Sequence, residues 1–320
     1  MKFNVTHGGD IMSFYSKVVN GLKFVCNKDF RWCYLANQGN FDSLDDEIFL
    51  KRKYKAYVGR ELNLDNPQTF NEKLQWLKLY DRKPEYTMMV DKYAVRNYIA
   101  DTIGEEYLIP LLGVWEDPDE IDFYKLPDKF VLKCNHNSGL GMYICKNKSE
   151  MNIKEVKNNL KRGLQQDYYL SEREWPYKNV PRKIICEKYM QNSNDECLTD
   201  YKFFCFNGEP RLVLICKGDA SKGERTNDFY DINFKHLPVI LTYPNANEEF
   251  SKPNKFDEML LIARKLSFQI PHLRVDLYVI NGKIYFGETT FFHDAGLCKF
   301  NPPEWDKYLG DMLDLPAVKE

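Results

Sequence analysis

The sequence lacks the features that would mark a zinc-stapled, membrane-spanning or nucleic-acid-binding protein. Its nine cysteines include no Cys-x-x-Cys pair, and none of its five histidines stands at zinc-ligand spacing, which removes the common structural zinc motifs. Most of the cysteines lie in apolar runs such as Val131-Leu132-Lys133-Cys134 and Ile184-Ile185-Cys186, where a reduced thiol behaves as a small buried hydrophobe. No apolar run is long enough for a spanning helix; residues 18–26 are interrupted by Asn20, Gly21 and Lys23, so neither a signal peptide nor a transmembrane segment is expected. A cytoplasmic location follows as the expectation, with peripheral membrane association left open. The net charge of −2 gives no general attraction to nucleic acid or anionic lipid. Any anion site must be local. There is no internal repeat, no low-complexity tract, and no Gly-Lys-Ser/Thr to close a Walker A loop.

What is present is an ordinary globular composition, 43% hydrophobic and 29% charged, with 15% aromatics among 320 residues. That is enough apolar surface to fold nearly throughout and to form more than one lobe. Residues 1–65 read as a helical extension, with residues 42–47 as a capping signal ahead of a helix over 49–57. Residues 66–69 cap a second helix that carries Phe70, Leu74, Trp76 and Leu77 at helical spacing and stops at 81–84. A third helix is expected over 89–103, ended by Gly104. From Leu108 short apolar runs alternate with turns and helices, the texture of an α+β chain. Strands are expected over 130–133, 142–145, 183–190, 201–206, 211–217, 274–280 and 283–289, with helices over 152–166 and 255–268. The divisions expected are 1–65, 66–115 as the first part of a nucleotide domain, 116–188 as a central lobe, and 189–320 as a C-terminal lobe.

The sharpest chemical signal is the strand pair on either side of Asn281-Gly282. Asp276 and Glu288 sit among apolar strand residues, where a carboxylate is costly unless paired or bound to a cation. Side chains alternate along a strand, so the loop decides whether the two acids share a face. A two-residue Asn-Gly turn pairs 280 with 283 and 276 with 287, which puts Glu288 on the wrong face. A three-residue loop puts Arg274, Asp276, Glu288 and Thr290 on one face. A shared metal therefore predicts an odd loop, and magnesium suits such a site, since it accepts one or two carboxylates and takes phosphate oxygens and waters for the rest. The competing reading is a structural ion pair of Arg274 with one acid.

Weaker signals surround it. Lys133 ends a strand and opens the polar loop 135–141, whose Asn137, Ser138 and Gly139 could cradle phosphate through backbone N–H groups; a plain hairpin is the alternative, with His136 as a loop hydrogen bonder. Residues 184–190 form an apolar strand that turns charged at Glu187 and Lys188, and with Tyr189 and Met190 it has the form of a hinge beside an adenine slot. Lys202, sharing a strand face with Asp200, and Arg225, in a polar loop over 221–227, could reach phosphate.

Taken in order, these pieces resemble the ATP-grasp superfamily, matched here by Lys92 in Asp91-Lys92-Tyr93-Ala94-Val95-Arg96, Lys133, Glu187, Asp276 and Glu288. The phrases at 69–78, 104–110, 200–208 and 286–291 look like its TupA-like branch, associated with teichuronopeptide and other surface-polysaccharide biosynthesis. The resemblance covers about residues 45 to 315. It implies an α+β ATP-grasp fold, two α+β lobes clasping ATP behind the helical extension. It implies that Lys92 and Lys133 contact ATP, that Glu187 to Met190 form the adenine hinge, that Glu196 reaches the ribose, and that Asp276 and Glu288 bind Mg2+. Arg274, with Lys202 and Arg225, would carry catalytic charge. Thr290 stands where many ATP-grasp enzymes have an Asn ligand; a hydroxyl can still ligate.

The activity implied is ATP-dependent ligation of a carboxylate to an amine through an acyl-phosphate. The partners implied are ATP, a carboxylate-bearing sugar or amino-acid acceptor and an amine donor. A glycosyltransferase or kinase-like enzyme of the same pathways, or a non-catalytic nucleotide-binding module, are the rival expectations.

Overall fold

The structure is a computed structural model, described here for residues 23–193 and 197–317. The expectations for residues 1–22 and for Glu196 lie outside those bounds.

Helix starts follow the caps written in the sequence. Helix α1 (Lys28–Asn37) is capped by Asn27 and α2 (Asp46–Val58) by Asp45, each side chain accepting two backbone N–H groups. Helix α3 (Phe70–Tyr80) begins in a full capping box between Thr69 and Glu72. The single helix expected over 89–103 is instead two, α4 (Pro84–Val90) and α5 (Val95–Thr102). Asp91 breaks them apart: its Oδ1 accepts from the Tyr93 N–H at 2.8 Å and from Asn135 Nδ2 at 2.7 Å, and the Lys92 N–H donates to Asn135 O. Lys92 therefore sits in a turn docked on another segment, where a continuous helix would have turned it elsewhere.

A small antiparallel sheet follows, in the order β1 (Leu111–Trp115), β4 (Ile184–Lys188), β2 (Phe130–Cys134), β3 (Tyr143–Cys145). It shares a compact core with α6 (Ile153–Gln165), in which Phe130, Leu132, Leu160, Ile184 and Cys186 are buried. Strand β1 pairs with β4 and so belongs to this sheet. A short helix, α7 (Tyr168–Glu172), lies between α6 and β4.

The larger antiparallel sheet holds six strands in the order β11 (Lys283–Thr290), β10 (His272–Ile280), β5 (Asp200–Phe206), β6 (Glu209–Lys217), β7 (Thr226–Asp231) and β8 (His236–Leu237). A two-stranded ribbon pairs β9 (Ile240–Leu241) with β12 (Phe300–Asn301). The two faces of the large sheet are read directly from alternation on β5. Phe203 faces α8 (Phe256–Leu266), its ring 5.8 Å from that of Phe256. Phe204, one residue on, packs toward Phe70 of α3. Lys202 shares the Phe204 face, and so do its cross-strand partner Asp276 and the Phe204 partner Arg274. The helical extension is not a separate body: Phe49, Leu50 and Tyr54 of α2 belong to the same core as this sheet. Helix α9 (Trp305–Asp311) closes over the start of α3, where Gly310 lies so close that a Cβ would meet Gln68 O at 2.4 Å. Among the described residues no helix is long and apolar enough to cross a membrane.

Candidate active site

The β10–β11 hairpin decides the site. Its loop has two residues, Asn281 and Gly282, both at positive φ (50° and 76°), and Ile280 pairs with Lys283, as a two-residue mirror-image turn requires. The odd loop expected above is therefore wrong. The acids nonetheless face each other, because the register slips between Asp276 and Leu277: Leu277 pairs with Phe286, whereas Asp276 pairs with Glu288 and Arg274 with Thr290. Gly287 is the extra residue, a β-bulge that re-aims everything after it. Only glycine fits there, since a Cβ would meet the Tyr278 ring at 2.8 Å and Asp276 O at 3.1 Å.

Asp276 is 1% exposed, and its carboxylate is held on both oxygens. Arg274 donates Nε to Oδ1 at 2.7 Å and Nη2 to Oδ2 at 2.8 Å, and Lys202 Nζ also donates to Oδ2. Burial pushes this carboxyl up, but Arg274 and Lys202 outweigh it and hold the group below the usual carboxylate range. Burial likewise opposes the charge on Arg274 and on Lys202, and in each case Asp276 reverses the balance and keeps the cation protonated. Arg274 also reaches Glu288 Oε1 at 3.3 Å and places Nη1 2.7 Å from His293 Nδ1. Since Arg274 can only donate, Nδ1 is the acceptor and the His293 proton sits on Nε2, which is buried without a partner. Burial, with Arg274 beside it, lowers the His293 pKa to about 4. The ion pair of Arg274 with one acid is thus real. Glu288 stands apart from it, with its side chain 45% exposed.

Two cavities meet at Glu288. The first, about 490 Å³, is lined from both sheets and collects nine of the residues expected to touch nucleotide: Lys92, Lys133, Asn137, Ser138, Gly139 and the consecutive run Glu187, Lys188, Tyr189 and Met190. Val131, Met142, Ile144, Leu198 and Ile280 supply apolar wall. Lys133 pairs with Glu187 at 2.7 Å, and Arg96 approaches the same carboxylate at 3.6 Å. The Lys188 N–H donates to Pro110 O, so it is not free for a base edge. The loop 135–141 is anchored: Asn137 Nδ2 donates to Gly163 O and Gln166 Oε1, Lys92 Nζ donates to Asn137 O at 2.6 Å, and His136 is buried with Nε2 3.1 Å from Gln166 O.

The second cavity, about 770 Å³, shares Lys92, Ser138 and Glu288 with the first and adds Arg274 and Thr290 from the hairpin. Its remaining walls come from residues that sequence reasoning did not single out, among them Tyr57 of α2, Tyr168 and Glu172 of α7, and Glu174 and Tyr177 just beyond. The signal available was a run of aromatics and acids around Arg173, which no helical or strand period organises. Neither Lys202 nor Arg225 lines either cavity. Lys202 is drawn into the Asp276 cluster, and Arg225, expected in a polar loop, precedes β7 and pairs with Asp200 at 2.9 Å.

The TupA-like ATP-grasp family model matches residues 72–314, most of the chain and all of both sheets. The chain belongs to the TupA-like ATP-grasp family. As a member it has the ATP-grasp fold in its α+β form, and residues 23–71 precede the matched span. None of the curated proteins matches it in sequence. Among solved structures it is similar to the D-alanine–D-alanine ligase of Helicobacter pylori, at 15% identity over 78% of this chain and 70% of that one, with a TM-score of 0.43. The ATP complex of the Bacillus anthracis D-alanine–D-alanine ligase is similar at 15% identity, covering 71% of this chain and 60% of that one, with a TM-score of 0.40. So is the N5-carboxyaminoimidazole synthase of Aspergillus clavatus with ADP and 5-aminoimidazole ribonucleotide, at 14% identity, 72% and 53% coverage and a TM-score of 0.39.

Proposed function

We propose that this TupA-like ATP-grasp protein is an ATP-dependent, ADP-forming ligase that joins a carboxylate to an amine through an acyl-phosphate. The observation that carries the reading is that Glu288, Lys92 and Ser138 belong at once to the cleft lined from both sheets and to the larger second cavity. A γ-phosphate held at that shared wall is within reach of a second molecule in the second cavity. Positioning of this kind, with fixed charge, is most of what phosphoryl transfer needs.

In this reading the adenine lies on the apolar wall near Val131, Ile144 and Met190, and its edge falls to Tyr189 and Met190, since the Lys188 N–H is already taken. Lys92, Lys133 and the N–H groups of Ser138 and Gly139 hold the phosphates. Glu288 fits a magnesium ligand, because its half-exposed carboxylate has a single polar partner among the described residues, Arg274 at 3.3 Å. Asp276 offers what remains beside three charged donors, and Thr290 a hydroxyl. When bound, Mg2+ would neutralise charge between the nucleotide phosphates. Arg274, locked by Asp276 and lining the second cavity, would face the carboxylate substrate and later the tetrahedral oxyanion, at no reorganisation cost. The carboxylate oxygen attacks the γ-phosphorus and ADP leaves; the amine nitrogen then attacks the acyl carbon, and phosphate leaves.

The family likeness supports a uronic acid or an acidic group of a surface-polysaccharide precursor as the carboxylate, and an amino acid or small amine as its partner. The test is incubation of the full chain with MgATP and paired carboxylates and amines. ADP and phosphate released only when both are present, with a product mass of the two substrates less one water, supports it. A phosphorylated hydroxyl acceptor, or sugar transfer without ATP, would replace the ligase with a kinase or a glycosyltransferase.

A further inference from the structure

The second cavity has a corner built from hydrogen-bond acceptors and aromatic rings. Glu174 is 5% exposed and faces the cavity, yet its carboxylate makes no hydrogen bond or ion pair to any described residue. Beside it, Glu172 uses Oε1 on Lys53 at 2.7 Å and leaves Oε2 buried without a partner. Lys78, the buried cation whose charge acts most strongly on Glu174, gives its hydrogen bonds to backbone instead: Nζ donates to Glu172 O at 2.8 Å and to Ala295 O at 2.9 Å. Tyr168 and Tyr177, edge to face at 4.8 Å, and Tyr57 complete the wall.

The scaffolding of this corner is deliberate in its chemistry. Arg173, between the two acids, takes a left-handed conformation (φ 53°) and is 2% exposed. Its Nη2 donates to the carbonyls of Phe41 and Asp42. Lys53, also buried, donates to Ser171 O and to Glu172. Both clamps come from the helical extension ahead of the family region, so residues 41–57 set the orientation of residues 171–174.

Unpaired buried acceptors are costly unless a ligand brings donors. A primary ammonium brings donors only, a positive charge and affinity for aromatic faces. We infer that Glu174 and Glu172, with Tyr57, Tyr168 and Tyr177, form the site for the amine substrate, bound as its ammonium. The assignment deepens the ligase reading and rests on it. Burial pushes the Glu174 carboxyl up from the usual range, which suits it to take a proton from the bound ammonium. That frees the nitrogen lone pair; the C–N bond forms as the acyl C–O bond to phosphate breaks, and the second proton leaves with the phosphate.

Thermal unfolding of the full chain tests this with two ligands read separately. Ethanolamine, a cation at neutral pH, is expected to raise the midpoint by about 2 °C at roughly ten times its Kd, at matched ionic strength, while its neutral isostere 1,2-ethanediol does not. Glu174→Gln is expected to abolish the ethanolamine shift; the shift it keeps with Mg-AMPPNP shows that it is folded. Equal shifts from the amine and the diol, an ethanolamine shift unchanged in Glu174→Gln, or no amine shift in the native chain would overturn the assignment. Absence of an Mg-AMPPNP shift in the native chain would instead count against the ATP-dependent reading and leave an ethanolamine result standing on its own.

Discussion

Arg274 grips Asp276 through both carboxylate oxygens, two residues along the same strand and on the same face of the sheet. A strand places side chains i and i+2 side by side, so this clamp is local; Nη2 also reaches Glu288, and Nη1 reaches His293. Removing the arginine leaves a buried carboxylate with Lys202 alone. Arg274→Ala is expected to destabilise the fold by about 3–5 kcal/mol, read as a lower urea midpoint. Arg274→Lys keeps the charge but not the fork; it is expected to fold and to lose on the order of 10²–10³-fold in turnover. Turnover within threefold of the native chain for Arg274→Lys would remove Arg274 from the reaction.

Glu288 and Asp276 face each other only because of Gly287. Gly287→Ala drives a methyl into the Tyr278 ring and Asp276 O, and overpacking of this kind costs about 1–3 kcal/mol. The expected result is a folded protein whose ATP turnover falls at least tenfold, because a one-residue slip turns Glu288 to the other face. Full activity in this variant would mean that the bulge does not set the site.

Glu288→Gln keeps the shape and removes the charge of the acid common to both cavities. A higher Mg2+ concentration for half-maximal turnover is expected, with the ATP concentration dependence measured at saturating Mg2+. An unchanged Mg2+ requirement would move the metal away from Glu288.

Two buried histidines give the stability a pH dependence. Burial lowers His272 to about 3 and His293 to about 4, from an ordinary value of 6.5. The folded protein resists protonation while the unfolded chain accepts it, so stability is full above about pH 6.5 and falls as pH drops through the interval down to those folded values. His272→Gln is expected to flatten that slope in urea midpoints taken from pH 7 to pH 4.5. A midpoint independent of pH over this range in the native chain would contradict it.

The fold was legible where local chemistry is strong. Caps at Asn66 to Thr69 and the Asn281-Gly282 turn are written in residue types whose backbone preferences are narrow. Eight of the residues that meet in the first cleft could be named because strand ends and a glycine-containing loop announce themselves, and Lys92 only through the family resemblance. The register of the acids was not legible, since a glycine inside a strand marks either a bulge or an indifferent position until its neighbours are known. The turn at Lys92 was missed because Asp91 is held by Asn135, 44 residues away. Glu172 and Glu174 were missed for the same kind of reason, their setting being supplied by Lys53 and by the Arg173 contacts of the extension.

The central claim is that a carboxylate becomes an acyl-phosphate at the wall between the two cavities. Supplying the carboxylate substrate labelled with 18O and examining the inorganic phosphate by mass spectrometry tests it directly. One labelled oxygen transferred to each phosphate released is the predicted result; phosphate free of label, with amide still formed, would contradict it.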